Sequence, residues 1–516
     1  MLPRTLTPEL VARLAPRITA DGTETATSTT VFTGAPLATL PRSTPDDVAV
    51  AFEHARRAQL SWAATDVRER LAVFDRFHSL LLRERDLVCD LIQAETGKAR
   101  GTAFIELCDP LLVTSHYRRT AAKLLRPRRR KGMFPLATSA TEVRTPKGVV
   151  GVISPWNFPF ALALADTIPA LIAGNAVVLK PDSQTALSPL FGADLLYRAG
   201  LPDGLLQVVL GDGPVIGTAV VDHADYVAFT GSTRTGRVVG ARAGARLVGC
   251  SLELGGKNPM IVLDDANLDL AVSGAVNGCY TNAGQLCMHI ERLYLHESLY
   301  ADFTDRFVAA TRKLSVGGRY DFTAELGSLT GRNQLKNVTE HVDDARAKGA
   351  NVLTGGQPRP DLGPFFYEPT VLVGVTPGMT CYDNETFGPV VALYPFRTDD
   401  EAVQLANATD YGLNGSVFGG DTARAEAIAR RVRAGTVNVN DAYSIAYGSV
   451  DAPMGGLGSS GLGRRHGAEG LLKYTESQSI GTQRVQVMEP PRGMSYRTYA
   501  RVTALLLRVL HRLRIR

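Results

Sequence analysis

Residues 148–254 alternate between short apolar runs of strand length and longer runs of helical period, which leaves few folds open to the chain. Four runs have the pattern of buried strands and lie at residues 148–154, 176–180, 206–210 and 226–229. Helical patterns separate the first three, at residues 160–172 and 185–198. A βαβαβ order of this kind builds a parallel, doubly wound sheet that binds ligands beyond the carboxyl ends of its strands. We therefore predict an α/β fold with functional residues directly after strands.

Polar or glycine residues follow three of these strands. Asn157 follows the first strand in a loop stiffened by two prolines, and its amide could direct donors at a substrate oxygen. Lys180 and Ser183 follow the second strand. Gly231 and Gly236 follow the fourth, in a glycine turn that enters a helix N-terminus suited to phosphate. Many loops contain two glycines, so this turn alone is a weak signal.

A further strand, predicted at residues 247–254, alternates at period two and places Glu253 at its end beside Gly255 and Gly256. A carboxylate in this position is either an exposed surface acid or a base in a cleft. The two glycines would allow another group to approach closely.

Cys287 lies just beyond a helix whose apolar stripe, from residue 268 onward, includes Cys279. Cys279 is therefore predicted to lie in the core. The chain breaks at residues 282–284, so Cys287 is expected to face a cleft. A lone thiol of this kind is usually inert, and its interpretation as a nucleophile depends on the rest of the chain.

Composition excludes several classes of protein. The 516 residues can form two or three domains. The six cysteines form no CxxC pair. This argues against disulfides and a zinc site, and it favours a reducing, cytoplasmic location. The net charge is +5, but residues 496–516 alone carry six arginines and no acid. The remainder is nearly neutral, which argues against nucleic acid as the main partner.

The flanking regions also have clear patterns. Residues 46–125 are predicted to be helical, the basic run 126–131 to be a solvated turn and residues 138–144 to form a hairpin arm. After Cys287 we predict strands and helices at residues 290–295, 298–314, 371–375, 390–396, 401–407 and 437–439, and a closing strand at 478–487.

Six motifs taken together carry a family resemblance. They are Ser154-Pro-Trp-Asn-Phe-Pro159, Lys180-Pro-Asp-Ser-Gln-Thr185, Phe229-Thr-Gly-Ser232, Glu253-Leu-Gly-Gly-Lys-Asn-Pro259, Asn282-Ala-Gly-Gln-Leu-Cys287 and Glu385-Thr-Phe-Gly-Pro389. In their order and spacing they resemble the aldehyde dehydrogenase superfamily, from about Phe32 to Ser479.

The resemblance implies the aldehyde dehydrogenase fold, with two doubly wound parallel-sheet domains and a β-hairpin oligomerisation arm. It implies a cofactor-binding domain in two segments, a catalytic domain, a return segment with an oligomerisation strand, and a homodimer or homotetramer. The corresponding ranges are 1–125 and 146–254 for the cofactor domain, 126–145 for the hairpin, 255–455 for the catalytic domain, 456–495 for the return segment and 496–516 for a basic amphipathic tail.

The resemblance also implies catalytic roles. Cys287 would attack the aldehyde carbon as a thiolate. Asn157 and the Cys287 backbone N–H would form the oxyanion hole. Glu253 would activate water to release the acid. No metal is implied.

The implied cofactor is a nicotinamide dinucleotide. Glu385 resembles the ligand of the nicotinamide ribose, and Lys180 that of the adenosine ribose. The family's other cofactor-binding positions correspond to Pro155, Trp156, Gly231, Ser232, Gly236 and Phe387. Ser183 stands where NAD-preferring members often have a glutamate, which would repel a 2′-phosphate. We therefore predict a preference for NADP with NAD tolerated, and expect the adjacent Asp182 side chain to point away.

The run from Cys287 to Arg292 resembles succinate-semialdehyde dehydrogenases, so the predicted reaction is oxidation of succinate semialdehyde to succinate. One departure affects this prediction. Thr281 stands where many of those enzymes have an arginine that holds the substrate carboxylate. Arg118, Arg119 and Arg292 are alternative partners, and each could instead be a surface or interface arginine. Another aliphatic or aromatic aldehyde is the alternative substrate.

Other classes remain to be separated. A cysteine hydrolase would need a histidine near the thiol, and His289 and His296 are close in sequence. A coenzyme A-acylating enzyme would typically lack the glutamate at Glu253, and a non-catalytic protein would not need these groups.

The tail at residues 496–516 has an apolar and a basic side, typical of an interfacial helix. It predicts either peripheral membrane contact or packing on a neighbouring subunit.

Overall fold

The computed structural model describes residues 2–134 and 137–514. The tip of the predicted hairpin at 135–136 and the end of the tail at 515–516 lie outside the described residues.

The predicted doubly wound sheet is confirmed. Its six strands, in spatial order, are Gly461–Leu462, Gly249–Glu253, Tyr226–Thr230, Val149–Ile153, Ala176–Lys180 and Leu206–Val208. All neighbours are parallel except the short first strand, which pairs antiparallel to the second. The connecting helices are Pro159–Ile172, Leu187–Arg198, Thr218–His223 and Thr233–Ala245.

The Gly249–Glu253 strand is two residues shorter at its start than predicted. Leu247 has a left-handed backbone (φ +58°) and a 95% exposed side chain, so the chain is still turning out of the preceding helix there. The prediction of Glu253 at the carboxyl end of the strand is confirmed.

The predicted N-terminal helices are also confirmed; the first packs on this sheet, and the other three pack on one another and on the helices Pro159–Ile172 and Leu187–Arg198. The four N-terminal helices are Pro45–Ala64, Val67–Arg83, Arg85–Thr96 and Arg100–Leu125. A reciprocal pair of hydrogen bonds between Thr44 and Asp47 caps the first of them. Gly97 ends the third in a left-handed conformation. A short helix, Pro8–Leu14, and a hairpin of Thr25–Thr29 with Pro36–Pro41 precede them and were not predicted.

A second sheet has seven strands and an antiparallel edge. In order they are Asn351–Thr354, Thr370–Val373, Val390–Phe396, Ile290–His296, Asn258–Val262, Asn414–Phe418 and Thr436–Val439. The longer helices around it are Leu268–Tyr280, Tyr300–Lys313, Arg332–Ala347, Asp399–Ala406 and Thr422–Ala429, and short ones lie at Thr380–Asp383 and Ser444–Gly448. The short helix Gly467–Leu472 packs instead on the helices Arg100–Leu125 and Pro159–Ile172.

Two central strands of this sheet were not predicted. Asn258–Val262 contains a short apolar run from Met260 that was not interpreted as a strand, whereas Asn414–Phe418 begins with polar and small residues and has no such run. Both are nevertheless buried throughout because they pair with strands on each side.

A third sheet, the arm sheet, contains Thr475–Gln483, Thr138–Pro146 and Arg128–Arg130 in that order. The expectation of a solvated turn for the basic run is wrong in part, because three of its arginines form an edge strand and Arg130 pairs with Glu142 across it. The closing strand is confirmed, but it begins three residues earlier than predicted and ends at Gln483.

The tail forms a helix, Tyr496–Arg512, capped by Ser495. No helix within the described ranges is both long and apolar enough to cross a membrane.

Candidate active site

A left-handed turn presents Cys287 beyond the end of the Leu268–Tyr280 helix. Asn282 and Ala283 have φ values of +56° and +53°, which end the helix sharply. A side chain at Gly284 would collide with the backbone of Gly388, so only glycine fits there. The Asn258 amide donates to the Cys287 carbonyl at 2.8 Å and fixes the turn. The thiol is thus held outside the core, whereas Cys279 is fully buried in it, as predicted.

Two cavities meet at this thiol. Four residues line both of them: Asn157, Thr230, Glu253 and Cys287. The larger cavity, of about 240 Å³, is also lined by Pro155, Trp156, Gly231, Ser232, Leu254, Gly255, Gln334, Glu385 and Phe387. The smaller, of about 50 Å³, has a mainly apolar lining and is here called the apolar cavity. Cys287 can therefore meet a different reactant from each side.

Asn157 is positioned by a buried ion pair. Lys98 donates to the Asn157 carbonyl at 2.7 Å and pairs with Glu106, which also accepts from the backbone N–H of Phe160 at 2.8 Å. The Asn157 amide donates one N–H to the Gln285 carbonyl at 3.1 Å. A primary amide has two N–H groups, so one remains for a substrate oxygen. The sequence offered no signal for the Lys98–Glu106 pair.

Glu253 is buried at the carboxyl end of its strand, where its carbonyl accepts from the Gly231 N–H at 3.0 Å. Burial raises the pKa of its carboxyl group to about 7, against the opposing charge of Arg465. Its Oε1 has no hydrogen-bond partner among the described residues. A carboxylate with a pKa near neutrality and a free oxygen is suited to taking a proton from water.

The thiol has an environment that keeps it protonated. Burial raises the pKa of Cys287 to about 12, and the carboxylates of Glu253 and Glu385 add to the effect. A thiolate therefore requires a base or a positive charge brought into the site.

Glu385 and Phe387 lie in a loop that a buried carboxylate holds. Glu291 accepts from the backbone N–H groups of Thr386 (2.8 Å) and Phe387 (3.0 Å), and it pairs with Lys257. These bonds hold Phe387 in a left-handed backbone (φ +54°), with its ring edge-on to Trp156 at 5.5 Å. Sequence reasoning assigned no role to Glu291 or Lys257, although a charge within an apolar strand was a visible signal.

The Glu385 carboxylate accepts from the Gly256 N–H at 2.8 Å. Burial raises its pKa to about 7, and Glu291 adds to the shift. A Cβ at Gly255 would lie 2.4 Å from the Glu385 carboxylate, so the absence of a side chain keeps this end of the larger cavity open.

Gly231 and Ser232 lie at the start of the Thr233–Ala245 helix, with Ser232 as its cap. The helix N-terminus thus opens on the larger cavity, while its role in binding phosphate stays a prediction. Gly236 does not line that cavity. It is buried one turn into the helix, where a Cβ would lie 2.3 Å from the Leu254 side chain, so it allows close packing of helix on strand.

Lys180 and Ser183 lie outside the lining of both cavities. Lys180 is buried at the end of its strand, and burial lowers the pKa of its ammonium group. Ser183 donates to the Gly211 carbonyl at 3.2 Å. Asp182 turns toward the next residues and accepts from the Gln184 N–H at 2.9 Å.

Arg465 adds a cation to the apolar cavity, and sequence reasoning assigned it no role. Its guanidinium donates to Asp166 at 2.5 Å and to Thr230 at 3.0 Å. Asp166 also accepts from Lys473 at 2.9 Å and from Tyr474 at 2.6 Å. The Arg465 Nε, like the Glu253 Oε1, is buried and has no partner among the described residues.

None of the three arginines suggested as carboxylate partners lines the apolar cavity. Arg118 and Arg119 are exposed, and Arg118 pairs with Asp75. The Arg292 guanidinium donates to the carbonyls of Lys257, Leu405 and Ala406. Thr281 does line the cavity.

The histidines near the thiol in sequence are engaged elsewhere. His289 contacts the Leu286 carbonyl at 2.6 Å and Glu291 at 3.0 Å, and His296 contacts Ser298 at 2.8 Å. This arrangement gives no support to a cysteine hydrolase. Within residues 2–134 and 137–514, no group of three or more potential side-chain ligands could hold a metal ion.

The lining of the larger cavity is suited to the nicotinamide and phosphate part of a dinucleotide. It combines a helix N-terminus at Gly231 and Ser232, the carboxylate of Glu385 beside Gly255, and the aromatic rings of Trp156 and Phe387. Together, the fold and the site define an α/β enzyme of two sheets with a cysteine thiol where two cavities meet.

Comparison with known proteins agrees with this class. The model of the aldehyde dehydrogenase family matches residues 18–480, and the chain belongs to that family. A protein of Mycolicibacterium smegmatis named "Putative succinate-semialdehyde dehydrogenase", NADP(+) type, is 52% identical over 483 residues, covering 94% of this chain and 93% of that protein. A 4,4'-diapolycopene aldehyde oxidase of a Methylomonas species is 37% identical, covering 88% and 85%. Betaine aldehyde dehydrogenase from Staphylococcus aureus, solved in complex with NAD+, has a TM-score of 0.89 at 31% identity and covers 95% of this chain and 99% of its own.

Proposed function

We propose that the protein oxidises an aldehyde to a carboxylic acid with NADP as the preferred cofactor and Cys287 as the nucleophile. The observation that carries the proposal is the position of Cys287 and Glu253 in the walls of both cavities. An aldehyde entering from the apolar cavity and a cofactor in the larger cavity would meet at the thiol.

Attack begins with loss of the thiol proton. Because the pKa of Cys287 is raised to about 12, the proton must leave to a base as the Cys287 Sγ bonds to the aldehyde carbon. In the proposed sequence solvent in the site takes this proton, so the carboxylate of Glu253, which has a pKa of about 7, stays free for the later hydrolysis. The free N–H of Asn157 and the Cys287 backbone N–H would stabilise the oxyanion of the thiohemiacetal.

The cofactor, when bound, supplies a hydride acceptor, and loss of hydride converts the thiohemiacetal on Cys287 to a thioester. Glu385 would hold the nicotinamide ribose through its second carboxylate oxygen, since the first accepts from Gly256. Pro155, Trp156 and Phe387 would pack on the nicotinamide end, and Gly231 and Ser232 would face the pyrophosphate. Glu253 then takes a proton from water as the water oxygen attacks the thioester carbon, and it returns that proton to the Cys287 thiolate as the acid leaves.

Cofactor preference rests on Lys180 and Ser183. A small hydroxyl at Ser183 leaves room for a 2′-phosphate, and the ammonium group of Lys180 can pair with it. The NADP(+) designation of the mycobacterial relative supports the same choice.

Succinate semialdehyde is the first candidate substrate, on the printed name of that relative at 52% identity. A second candidate, an uncharged aldehyde, is favoured by the lining of the apolar cavity. Its one cationic residue among those described, Arg465, already pairs with Asp166, while Asp109 and Glu253 bring carboxyl groups to the same wall. The Arg465 Nε is then the one free cationic donor that the described residues offer an anionic substrate, in a wall that also contains those two carboxyl groups.

A cofactor-reduction assay with succinate semialdehyde and with uncharged aldehydes of similar length tests both candidates. Higher catalytic efficiency with succinate semialdehyde supports the first, and higher efficiency with the uncharged aldehydes supports the second. Thr281→Arg places a cation in the cavity, with Thr281→Val as a matched control. On the second candidate, only the arginine variant gains efficiency with succinate semialdehyde, by ~10-fold or more. No turnover of any aldehyde would contradict the proposed reaction.

We also propose a cytoplasmic homo-oligomer. The six cysteines are free thiols, as suits a reducing compartment. The Thr475–Gln483 strand is an exposed edge of the arm sheet, and such an edge can pair with a second copy. Light scattering of the purified protein would give its mass, and a monomer would contradict the assembly.

A further inference from the structure

The C-terminal helix, Tyr496–Arg512, leaves an apolar face in solvent. Ser495 caps its start by accepting from the Thr498 N–H at 3.2 Å, so the helix is well defined at its N-terminus. On the apolar face Leu510 is buried, whereas five further side chains are 42–62% exposed: Val502, Leu505, Leu506, Val509 and Leu513. A contiguous patch of large apolar side chains on a soluble protein marks a binding surface.

Charge indicates what the surface binds. Four arginines lie along one edge of the apolar face: Arg497, Arg501, Arg508 and Arg512. Residues 496–516 contain no acidic residue, so no side chain of the tail can neutralise them. The partner must therefore present an apolar region bordered by negative charge.

The helix is an addition to the catalytic body. The family match ends at residue 480, sixteen residues before the helix begins. Val487 lies in the linker between the two. The hydroxyl of Tyr499, in the helix, donates to the Val487 carbonyl and so ties the helix to its linker. No residue of the helix lines either cavity of the proposed active site.

We propose that this helix docks on an anionic lipid bilayer. It lies parallel to the bilayer surface, with Leu505 and Val509 in the boundary between headgroups and acyl chains. The arginines along the edge donate to lipid phosphates. A second copy of the same helix is a poorer occupant, because it would bring two sets of arginines together with no acid on either helix.

Flotation with vesicles tests the proposal. The full chain is mixed with vesicles of phosphatidylcholine and phosphatidylglycerol in equal amounts, or of phosphatidylcholine alone. The test variant, Leu505→Glu with Val509→Glu, places two acids on the apolar face. The matched control, Ala500→Glu with Ala504→Glu, places two acids at the same spacing on the opposite side, where both alanines are exposed.

We expect the full chain to float with the anionic vesicles and to lose binding at high salt. The test variant should lose ~10-fold or more of its bound fraction, while the control variant retains most of it. Deletion of residues 496–516 should abolish flotation and leave turnover of a water-soluble aldehyde unchanged.

Three results would overturn the proposal. They are failure of the full chain to float, flotation of the deleted chain, and equal losses in the two double variants. A change in oligomeric mass on deletion, without flotation of the full chain, would assign the apolar face to a neighbouring subunit instead.

Discussion

The Arg465 guanidinium bridges Asp166 and the active site. It donates to the Asp166 carboxylate at 2.5 Å from one side, while its Nε stays unpartnered in the cavity wall that also contains Glu253. Burial raises the pKa of the Asp166 carboxyl group, but the charges of Arg465 and Lys473 together lower it by more. The pKa of Asp166 therefore lies below its usual range. Asp166 is therefore a fixed negative charge that holds the cation near Glu253, and we treat Arg465 as a positioning residue for the catalytic base.

The first prediction concerns the pH profile of this base. Arg465 favours the ionised form of Glu253, so Arg465→Gln should raise the pKa of Glu253 above its value of about 7. Glu253 accepts protons only when ionised, so the rate of acid release should rise with pH through that pKa. We expect the acid limb of kcat to move to higher pH by ~1 unit, with activity recovering at alkaline pH.

Two variants separate this charge effect from a packing defect. Arg464→Gln removes the neighbouring charge, which lowers the pKa of Glu253 less than Arg465 does. The pH profile of the Arg464→Gln variant should therefore move less than that of Arg465→Gln. Asp166→Asn combined with Arg465→Gln removes two opposing charges, so the profile should move back toward that of the wild type. An unchanged profile in Arg465→Gln at reduced kcat would assign Arg465 a purely structural role.

Replacement of the nucleophile should abolish oxidation and spare cofactor binding. Cys287→Ala removes the atom that bonds to the aldehyde, while the cavity beyond it keeps Trp156, Glu385 and Phe387. Cofactor affinity, followed by quenching of protein fluorescence, should stay within ~3-fold of the wild type. Cys108→Ala, at a half-buried thiol outside both cavities, serves as the control and should turn over normally. Turnover by Cys287→Ala would contradict the proposed mechanism.

The third prediction separates formation of the thioester from its hydrolysis. Glu253→Gln should retain a stoichiometric burst of reduced cofactor and then turn over slowly, since the amide cannot accept a proton from water. Stopped-flow measurement at substrate saturation resolves the two phases. Loss of the burst together with turnover would show that Glu253 is also required to deprotonate Cys287, whose thiol pKa is raised to about 12.

Sequence patterns predicted those strands and helices whose own residues have the apolar run or the helical period that identifies them. The Val149–Ile153 and Ala176–Lys180 strands are continuous apolar runs, and their helices have a clear period. The same reasoning placed Glu253 at a strand end and Cys287 beyond a helix. The Asn414–Phe418 strand was missed because it is buried by its neighbours rather than marked by its own residues.

Residues that act through distant partners could not be predicted in this way. Arg465 meets Asp166 across 299 positions of sequence, and Glu291 meets the backbone of Phe387 across 96. In the sequence each stands beside another charged residue, Arg464 or Arg292, and charged side chains usually lie on the surface. The apolar strand around Glu291 indicated burial but could not show its partner. Only the packing of the two sheets and their loops shows that both are buried and positioned beside the site.

The last prediction concerns cofactor choice at Ser183, which follows the Ala176–Lys180 strand and donates to the Gly211 carbonyl at 3.2 Å. Ser183→Glu would place a carboxylate beside the proposed position of the 2′-phosphate, and the like charges should raise the apparent KM for NADP by ~10-fold or more while sparing NAD. Ser183→Gln is the matched control, because it has nearly the same size without the charge and should affect the two cofactors alike. Steady-state kinetics with each cofactor at a fixed aldehyde concentration measures the difference. Higher catalytic efficiency of the wild type with NAD than with NADP would show that Ser183 does not select the phosphorylated cofactor.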